Sequence, residues 1–502
     1  MTTEYQHPSQ PDILEVIANL SNDEVFTPPK VANAVLDLLP TEVWSDPTLR
    51  WLDPGCKTGI FPREITKRLL VGLAEAIPDE SRRLQHILTE MVFAIAITDL
   101  TGMMSRRTLY CSKDASGEFS AVHFAKSSGN IWHERVEHSF NDRGRCVECG
   151  GANQLEKVGR DNYAYGFIHL DGQEKLKREI GMHFDVIVGN PPYQMEDGGN
   201  KASSSALYNI FVDQAKALNP KYLAMIIPSR WFAGGKGLDT FRSEMLADKR
   251  IRTLVDFTDA SALFPGVDIA GGVCYFLWER DSKGPCRIVT EHSGRRTEST
   301  RFLNQYPTFI RFNEAIPIIE KVKAKSASFY ETVVRSRKPF GLDTAAKPDK
   351  KGDLILYWRE GRGPIVKDRV LVGLDMIPKW KVITSRASYD HAGQHDKDGM
   401  RRVLSKVDII GPHEVCSETY LVLTALDTKK QAEAVESYFR TRFARFLISM
   451  VSYTQDITKD RFAYVPVMSS DRVWTDQDLY NFFGLTADER TFIESIIREM
   501  PV

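Results

Sequence analysis

The chain has 502 residues, 42% hydrophobic and 26% charged, with 66 Lys+Arg against 67 Asp+Glu for a net charge of −1. Such a length exceeds what one growing core sustains, so two or three domains are expected, and the composition excludes a disordered or collagen-like polymer. No stretch approaches the ~20 consecutive apolar residues of a membrane span, and the start of the chain has no apolar signal core, so a cytoplasmic protein with no membrane partner is expected.

Val25-Phe26-Thr27-Pro28-Pro29 comes first, ahead of apolar residues at helix spacing over 31–39, with Thr27 as the expected cap and the prolines suited to the first turn. A plain capped helix is the other reading. Trp51-Leu52-Asp53-Pro54-Gly55-Cys56-Lys57-Thr58-Gly59-Ile60-Phe61 reads as a strand, a turn of small residues and a helix start, with apolar helix spacing over 64–73. Gly55 and Gly59 allow the backbone to approach a ligand closely, and the helix N-terminus behind them favours a carboxylate. Strand-like runs recur at 50–52, 91–97, 184–188, 222–227, 251–257 and 272–278, with helical patterns between most of them. That alternation predicts an α/β fold, a doubly wound and mostly parallel sheet occupying residues 1–280. The last two strands lie close together in sequence and are expected as an antiparallel edge.

Residues 110–167 break this rhythm with Gly, Ser, Asn, His and Cys, so an insertion with its own small fold is expected. Within it, Cys146-Val147-Glu148-Cys149-Gly150-Gly151 has the turn that points two thiolates at one zinc ion. Cys111 and His138 lie upstream and would complete a Cys3His set, with His123 and His133 competing for the fourth place. A redox pair is disfavoured because the Cys-x-x-Cys does not open a helix behind a strand. Seven cysteines scattered over so long a chain argue against a disulfide framework.

After Arg280 the pattern turns irregular, with Gly/Lys/Asp clusters at 345–353 and 389–399 and a Tyr357-Trp358 pair, which suits a separate recognition module over 281–425. Asp281 to Ile410 carries 26 Lys+Arg against 16 Asp+Glu, an excess of ten that leaves the rest of the chain at −11. Phosphate neutralisation needs only a local basic surface, so the near-neutral total is compatible with nucleic-acid binding; a solvated loop-rich face is the alternative. A helical region is expected over 426–502, with one helix at 429–447 and a short pair at 475–500 capped by Thr475 and Thr486.

The most informative segment is Phe184-Asp185-Val186-Ile187-Val188-Gly189 followed by Asn190-Pro191-Pro192-Tyr193. The apolar run reads as a buried parallel strand, and ligands bind beyond the carboxyl ends of such strands. Two prolines fix φ and remove N–H donors, leaving a rigid turn whose carbonyls accept hydrogen bonds. The Asn190 side-chain oxygen and the Pro191 carbonyl would each take one N–H of an exocyclic amine, drawing its lone pair out of ring conjugation, while Tyr193 offers a face for stacking. An ordinary rigid loop is the competing reading.

This tetrad behind its strand resembles the catalytic motif of S-adenosylmethionine-dependent amino-methyltransferases, specifically the N6-adenine DNA methyltransferases of the Eco57I-like restriction-modification type. The same tetrad occurs in protein-glutamine and some RNA methyltransferases. Cofactor motifs first, catalytic motif second and recognition region last match the γ order of the DNA enzymes. The resemblance extends to Ala206-Leu207-Tyr208-Asn209-Ile210-Phe211-Val212, to Ile227-Pro228-Ser229-Arg230-Trp231-Phe232, to residues 271–278, and to 414–420 through Tyr453-Thr454-Gln455-Asp456.

The resemblance implies a class I methyltransferase Rossmann-like fold, S-adenosyl-L-methionine as cofactor and double-stranded DNA as partner, with Asn190, Pro191, Pro192 and Tyr193 as catalytic residues. Asp53, Pro54, Gly55, Cys56, Gly59 and Phe61 match a DPxCGSGxF loop that wraps the methionine part of the cofactor, with Lys57 and Thr58 in place of Gly and Ser. Phe26 would pack near the adenosyl group, Thr27 would hold the methionine carboxylate, and Asn190 would also face the cofactor. Ala96 stands where many relatives carry the ribose-binding acid, which leaves Asp99 as the substitute. Phe167 and His169 are candidates near the adenine ring, and Asp185 is expected to be structural. An adenine inside a duplex would be extruded into the pocket, and the basic region would hold phosphates and read bases.

The alternatives are an RNA or protein-glutamine N-methyltransferase and a non-catalytic DNA-binding relative, the latter through Lys57 and Ala96. A fused nuclease is disfavoured, since about two dozen residues precede the first cofactor motif and no Asp/Glu/Lys nuclease cluster is evident. Any cleavage is expected from a separately encoded restriction endonuclease. Zinc in the insertion would be structural.

Overall fold

The computed structural model describes residues 26–151, 153, 164–194, 206–235, 237–267, 269, 271–335, 337–390, 396, 398–452 and 455–500. Residues 1–25, most of 152–163, and Tyr453 and Thr454 of the far motif lie outside the described residues. The chain divides into two compact units, Met1–Gln305 and Tyr306–Val502. Among the described residues, no helix is long and apolar enough to cross a membrane.

In the first unit, β1 (Trp51–Cys56), β2 (Val92–Ala96), β3 (Ile131–Trp132) and β4 (Val186–Gly189) are buried at every position. Burial on both faces is what parallel strands sandwiched between helices require, and it explains why these runs are continuously apolar. With β5 (Tyr222–Pro228), β6 (Ile251–Phe257), β7 (Val273–Glu279), β8 (Cys286–His292) and β9 (Arg295–Arg301), they form one nine-stranded sheet in the order β3-β2-β1-β4-β5-β7-β6-β8-β9. β1 to β5 are mutually parallel where they pair.

Three expectations change here. β7 is antiparallel as predicted, but it sits inside the sheet between β5 and β6 rather than at an edge. β8 and β9 continue the same sheet, so the first unit runs to Gln305 and not to residue 280. The polar alternation of β9, exposed along most of its length, disguised it as a loop. The helix expected over 31–39 is Pro29–Leu36, and its N-cap is Pro28 with no side-chain cap bond; Thr27 has another partner.

The second unit holds two three-stranded sheets where an irregular module was expected. β10 (Leu354–Trp358) pairs with β11 (Gly361–Ile365), while β12 (Trp380–Ser385) pairs with β13 (Val407–Ile410). β14 (Glu414–Cys416) then joins β10, and β15 (Tyr420–Leu426) joins β12. A single apolar cluster runs from Tyr306 to Ile497, so no division falls at residue 425. The helix predicted over 429–447 is two helices, Lys429–Arg440 and Arg442–Ser449, broken at Thr441, whose extended backbone and hydroxyl cap the second. Thr475 and Thr486 cap Asp476–Phe483 and Ala487–Ile496 with complete capping boxes, as expected.

Arg445 is fully buried in this unit. Its Nη1 donates to the carbonyls of Arg498 and Arg402 at 2.7 and 3.1 Å, and its Nε to that of Thr441 at 3.2 Å. Burial lowers its pKa to about 10, which still leaves it charged near neutrality. Arg445→Met fills similar volume but strands these carbonyls, and we expect a loss of about 2–4 kcal/mol of unfolding free energy, checked by urea denaturation.

Candidate active site

β1 and β4 are neighbours, with Trp51 opposite Val186 and Leu52 opposite Ile187. In that register both chains leave the sheet side by side, so the glycine turn after β1 and the Asn-Pro-Pro-Tyr loop after β4 emerge at one carboxyl edge. The approach is closest at Gly189, where a Cβ would lie 2.8 Å from Asp53 Oδ1; one on Gly55 would meet Pro191 Cα and Pro192 Cδ at 3.7 Å, an ordinary contact distance. Two motifs more than a hundred residues apart in sequence are thus in van der Waals reach.

β1 runs on through Asp53, Pro54, Gly55 and Cys56 with an irregularity in its pairing, so the turn expected to follow Leu52 is confined to residues 57–59. Gly59 takes the left-handed φ of 76° and opens the Ile60–Gly72 helix. A Cβ there would meet Ser105 Cα at 3.0 Å, so the helix Asp99–Tyr110 is seated against the turn. The Ser105 hydroxyl supports it at two points, lying 3.3 Å from both Cys56 Sγ and the Lys57 carbonyl. Lys57 and Thr58 are buried and neither has a positive φ, so their departure from Gly and Ser is accommodated without strain. Phe61 is 1% exposed and belongs to the apolar core, where it props the turn from beneath.

Asn190 is buried, and its Nδ2 donates to Thr27 Oγ1 at 3.0 Å across 163 residues of sequence. Thr27 does not cap the helix as expected; its hydroxyl accepts from the Asn190 amide. Pro191 and Pro192 are buried and Tyr193 is partly buried. Burial raises the Tyr193 phenol well above its ordinary pKa, so it stays neutral. Asp53 is buried as well, its Oδ1 accepting the Gly55 N–H at 3.2 Å. Desolvation outweighs that bond and raises its pKa to about 7.

Asp99 is the first residue of its helix, immediately after the Thr98 cap and beyond the end of β2. Its side chain is 72% exposed, with Arg106 at 3.9 Å. Ala96 pairs with Cys56 and so sits beside the glycine turn. Asp185 is structural, accepting the Arg50 N–H at 3.0 Å just ahead of β4. Sequence reasoning missed Ser105, the buried Ser229 Oγ to Asp256 Oδ1 bond of 2.6 Å at the ends of β5 and β6, and Tyr208, whose buried hydroxyl has no hydrogen-bond partner among the described residues. Polar residues interrupting apolar strand ends were the available signal for the Ser229 and Asp256 pair.

The metal-ligand prediction needs correction. Among the described residues, His138, Cys146, Cys149 and His169 offer ligand atoms all within 4.8 Å of one another, a Cys2His2 set. Cys111 is not part of it; it is exposed at the end of the Asp99–Tyr110 helix with a left-handed φ of 62°. His123 and His133 are absent from the group too, and the His133 ring faces the Ala96 carbonyl at 3.4 Å. His169 has its Nδ1 2.8 Å from the Tyr165 carbonyl and its Nε2 3.6 Å from Cys146 Sγ, and Phe167 packs on Phe211 with ring centroids 5.5 Å apart.

The elevated Asp53 pKa carries a stability prediction. A carboxyl whose folded pKa of about 7 exceeds its ordinary 3.8 stabilises the fold most at low pH and loses that contribution as pH rises through 7. Asp53→Asn cannot ionise, so its thermal midpoint should gain on the wild type between about pH 5 and pH 8. Parallel melting profiles over that range would show that Asp53 ionises without penalty.

Residues 90–264 match the model of the Eco57I restriction-modification methylase family. An adenine-specific methylase from Mycoplasma pneumoniae is 39% identical over 315 residues, covering 57% of this chain and 75% of that protein. Among solved structures, the modification subunit of a type I restriction enzyme from Vibrio vulnificus YJ016 is 16% identical with a TM-score of 0.34, over 56% of this chain and 51% of that one. A nuclease-deletion mutant of the Type ISP restriction-modification enzyme LlaGI, in complex with a DNA substrate mimic, is 12% identical with a TM-score of 0.44, over 86% of this chain and 45% of that one. The chain thus spans about half the length of these solved structures. With its identity to the Mycoplasma methylase extending over three quarters of that protein, the chain belongs to the Eco57I restriction-modification methylase family and is a methyltransferase.

Proposed function

We propose that the protein transfers a methyl group from S-adenosylmethionine to N6 of an adenine flipped out of a specific double-stranded DNA sequence, in a restriction-modification or phage-defence setting. The observation that carries this reading is the shared sheet edge: the Asn190 to Tyr193 loop and the glycine segment leave neighbouring parallel strands, and Asn190 bonds Thr27 at 3.0 Å. The turn fits the cofactor. Its glycines permit close backbone approach, the Ile60–Gly72 helix N-terminus favours a carboxylate, and Asp53 is a buried carboxyl ready to ionise beside a cationic group.

In this reading Phe26, Asp53, Pro54, Gly55, Cys56 and Gly59 hold the cofactor, Phe61 supports them, and Asp99 takes the ribose hydroxyls. When bound, S-adenosylmethionine supplies an electrophilic methyl group on sulfur. Asn190 Oδ1 and the Pro191 carbonyl accept the two N6 hydrogens, which localises the lone pair on nitrogen and raises its nucleophilicity. Tyr193 stacks on the base and, being neutral, adds no charge to the site. Thr27 acts through Asn190, holding its side chain in place through the hydroxyl. No general base is needed before attack, because the proton becomes acidic only once the nitrogen is alkylated. A zinc ion in the insertion takes no part, since a neutral amine displacing a sulfonium needs no Lewis acid.

DNA contacts are assigned to the second unit and the strands just before it. Arg335, Arg337, Arg359 and Arg362 have side chains more than half exposed, available to phosphates despite partial pairing with acids. Cleavage, where it accompanies methylation, would belong to a partner endonuclease.

Tritium transfer to duplex DNA, RNA and protein tests the substrate. Incorporation into duplex DNA is expected; incorporation into RNA or protein alone would overturn the assignment. Asn190→Ala should lower the transfer rate by about 10²–10³ or more while cofactor binding, read by equilibrium dialysis, survives. An N190A variant with wild-type turnover would remove Asn190 from the chemistry.

A further inference from the structure

The turn at Cys146 to Gly151 is closed by two backbone bonds, Gly150 N–H to the Cys146 carbonyl at 2.9 Å and Cys146 N–H to the Gly151 carbonyl at 2.8 Å. Gly150 takes a left-handed φ of 76°, which turns both thiols to one side. Facing them are imidazoles from two other places. Cys149 Sγ lies 3.4 Å from His138 Nδ1, and Cys146 Sγ lies 3.6 Å from His169 Nε2. A tetrahedral zinc with Zn–S of about 2.3 Å and Zn–N of about 2.0–2.1 Å requires S···N edges of about 3.5 Å. Both separations match that edge.

The surroundings suit a closed structural site. Cys146, Cys149 and His169 are buried at 3%, 2% and 0% exposure, so solvent does not compete for a coordination position. The His169 Nδ1 lies 2.8 Å from the Tyr165 carbonyl, and donation there selects the tautomer whose Nε2 lone pair faces the thiols. We infer that His138, Cys146, Cys149 and His169 bind one Zn2+ that fastens the inserted hairpin to the segment leading into the Leu170–Glu179 helix.

That segment borders the methyl-transfer unit. Glu148, inside the turn, accepts the Leu170 N–H at 2.9 Å, a second tie across the same junction. Tyr165 and Phe167 pack on Phe211 at centroid distances of 5.7 and 5.5 Å. Phe211 lies on the Tyr208–Ala217 helix, whose entry is bonded to the catalytic loop through Leu207 N–H and the Tyr193 carbonyl at 3.1 Å. The zinc therefore positions the packing behind the catalytic loop without touching substrate. This inference does not depend on which substrate is methylated, because metal content is read without turnover.

The test is elemental analysis of the full chain purified without added metal, with Cys111→Ser, Cys146→Ser and His169→Ala alongside. One zinc per chain is expected in the wild type and in C111S, with loss in C146S and H169A. Should the last two fail to fold, cobalt exchange into the wild type decides: tetrahedral thiolate–cobalt absorption is expected, and chelation should speed limited proteolysis between residues 133 and 170. A wild-type protein that carries no zinc and shows no such cobalt spectrum would overturn the inference, leaving two metal-free thiol–imidazole hydrogen bonds. Loss of zinc from C111S with retention in H169A would overturn the ligand set.

Discussion

The hydrogen bond from Asn190 Nδ2 to Thr27 Oγ1 is the constraint on which the site rests. A primary amide has a donor end and an acceptor end of nearly equal shape, so a buried asparagine is useful only when something decides which end faces the ligand. In this structure the donor end meets Thr27, which comes from a segment 163 residues away. Burial strengthens the contact, because a hydrogen bond is worth more in a dry environment. The sheet supplies the rest of the precision by delivering the β1 and β4 loops in fixed register.

How much of this was legible follows from the kind of signal each residue carries. The parallel strands were readable because two-sided burial leaves unbroken apolar runs, and the glycine turn because close approach demands small residues. The Thr27 to Asn190 contact was not readable, since nothing local to either residue distinguishes a helix cap from a distant partner. β7 shows the same limit at the level of topology: its apolar character identifies a strand, but insertion between β5 and β6 is a fact about pairing that no periodicity encodes. His169 was not named with the cysteines because it lies outside the Cys-x-x-Cys neighbourhood in sequence and comes beside it only through the fold.

The second unit illustrates why regional charge is a weak guide by itself. Glu418, only 3% exposed, gathers Arg337, Arg386 and Lys338, and Asp349 and Glu414 take Arg369 and Arg362. Those guanidinium and ammonium groups hold Glu418 below its ordinary pKa despite the desolvation that opposes them. Part of the basic excess visible in the sequence is therefore paired with acids within the unit, even where, as at Arg337 and Arg362, the side chain stays more than half exposed. β11, β12, β13 and β14 escaped prediction for a related reason, each being short and carrying a charged residue, whereas β10 and β15 are apolar runs that were not singled out.

The margins of the large sheet carry one more consequence. β3 contributes only two residues to one border, and β9 presents Arg295, Arg296 and Glu298 along the other. An incoming chain seeking backbone partners finds too little strand at the first border and must strip water from a row of charges at the second. A nine-stranded sheet with a strongly apolar interior is thereby kept from polymerising through its rims.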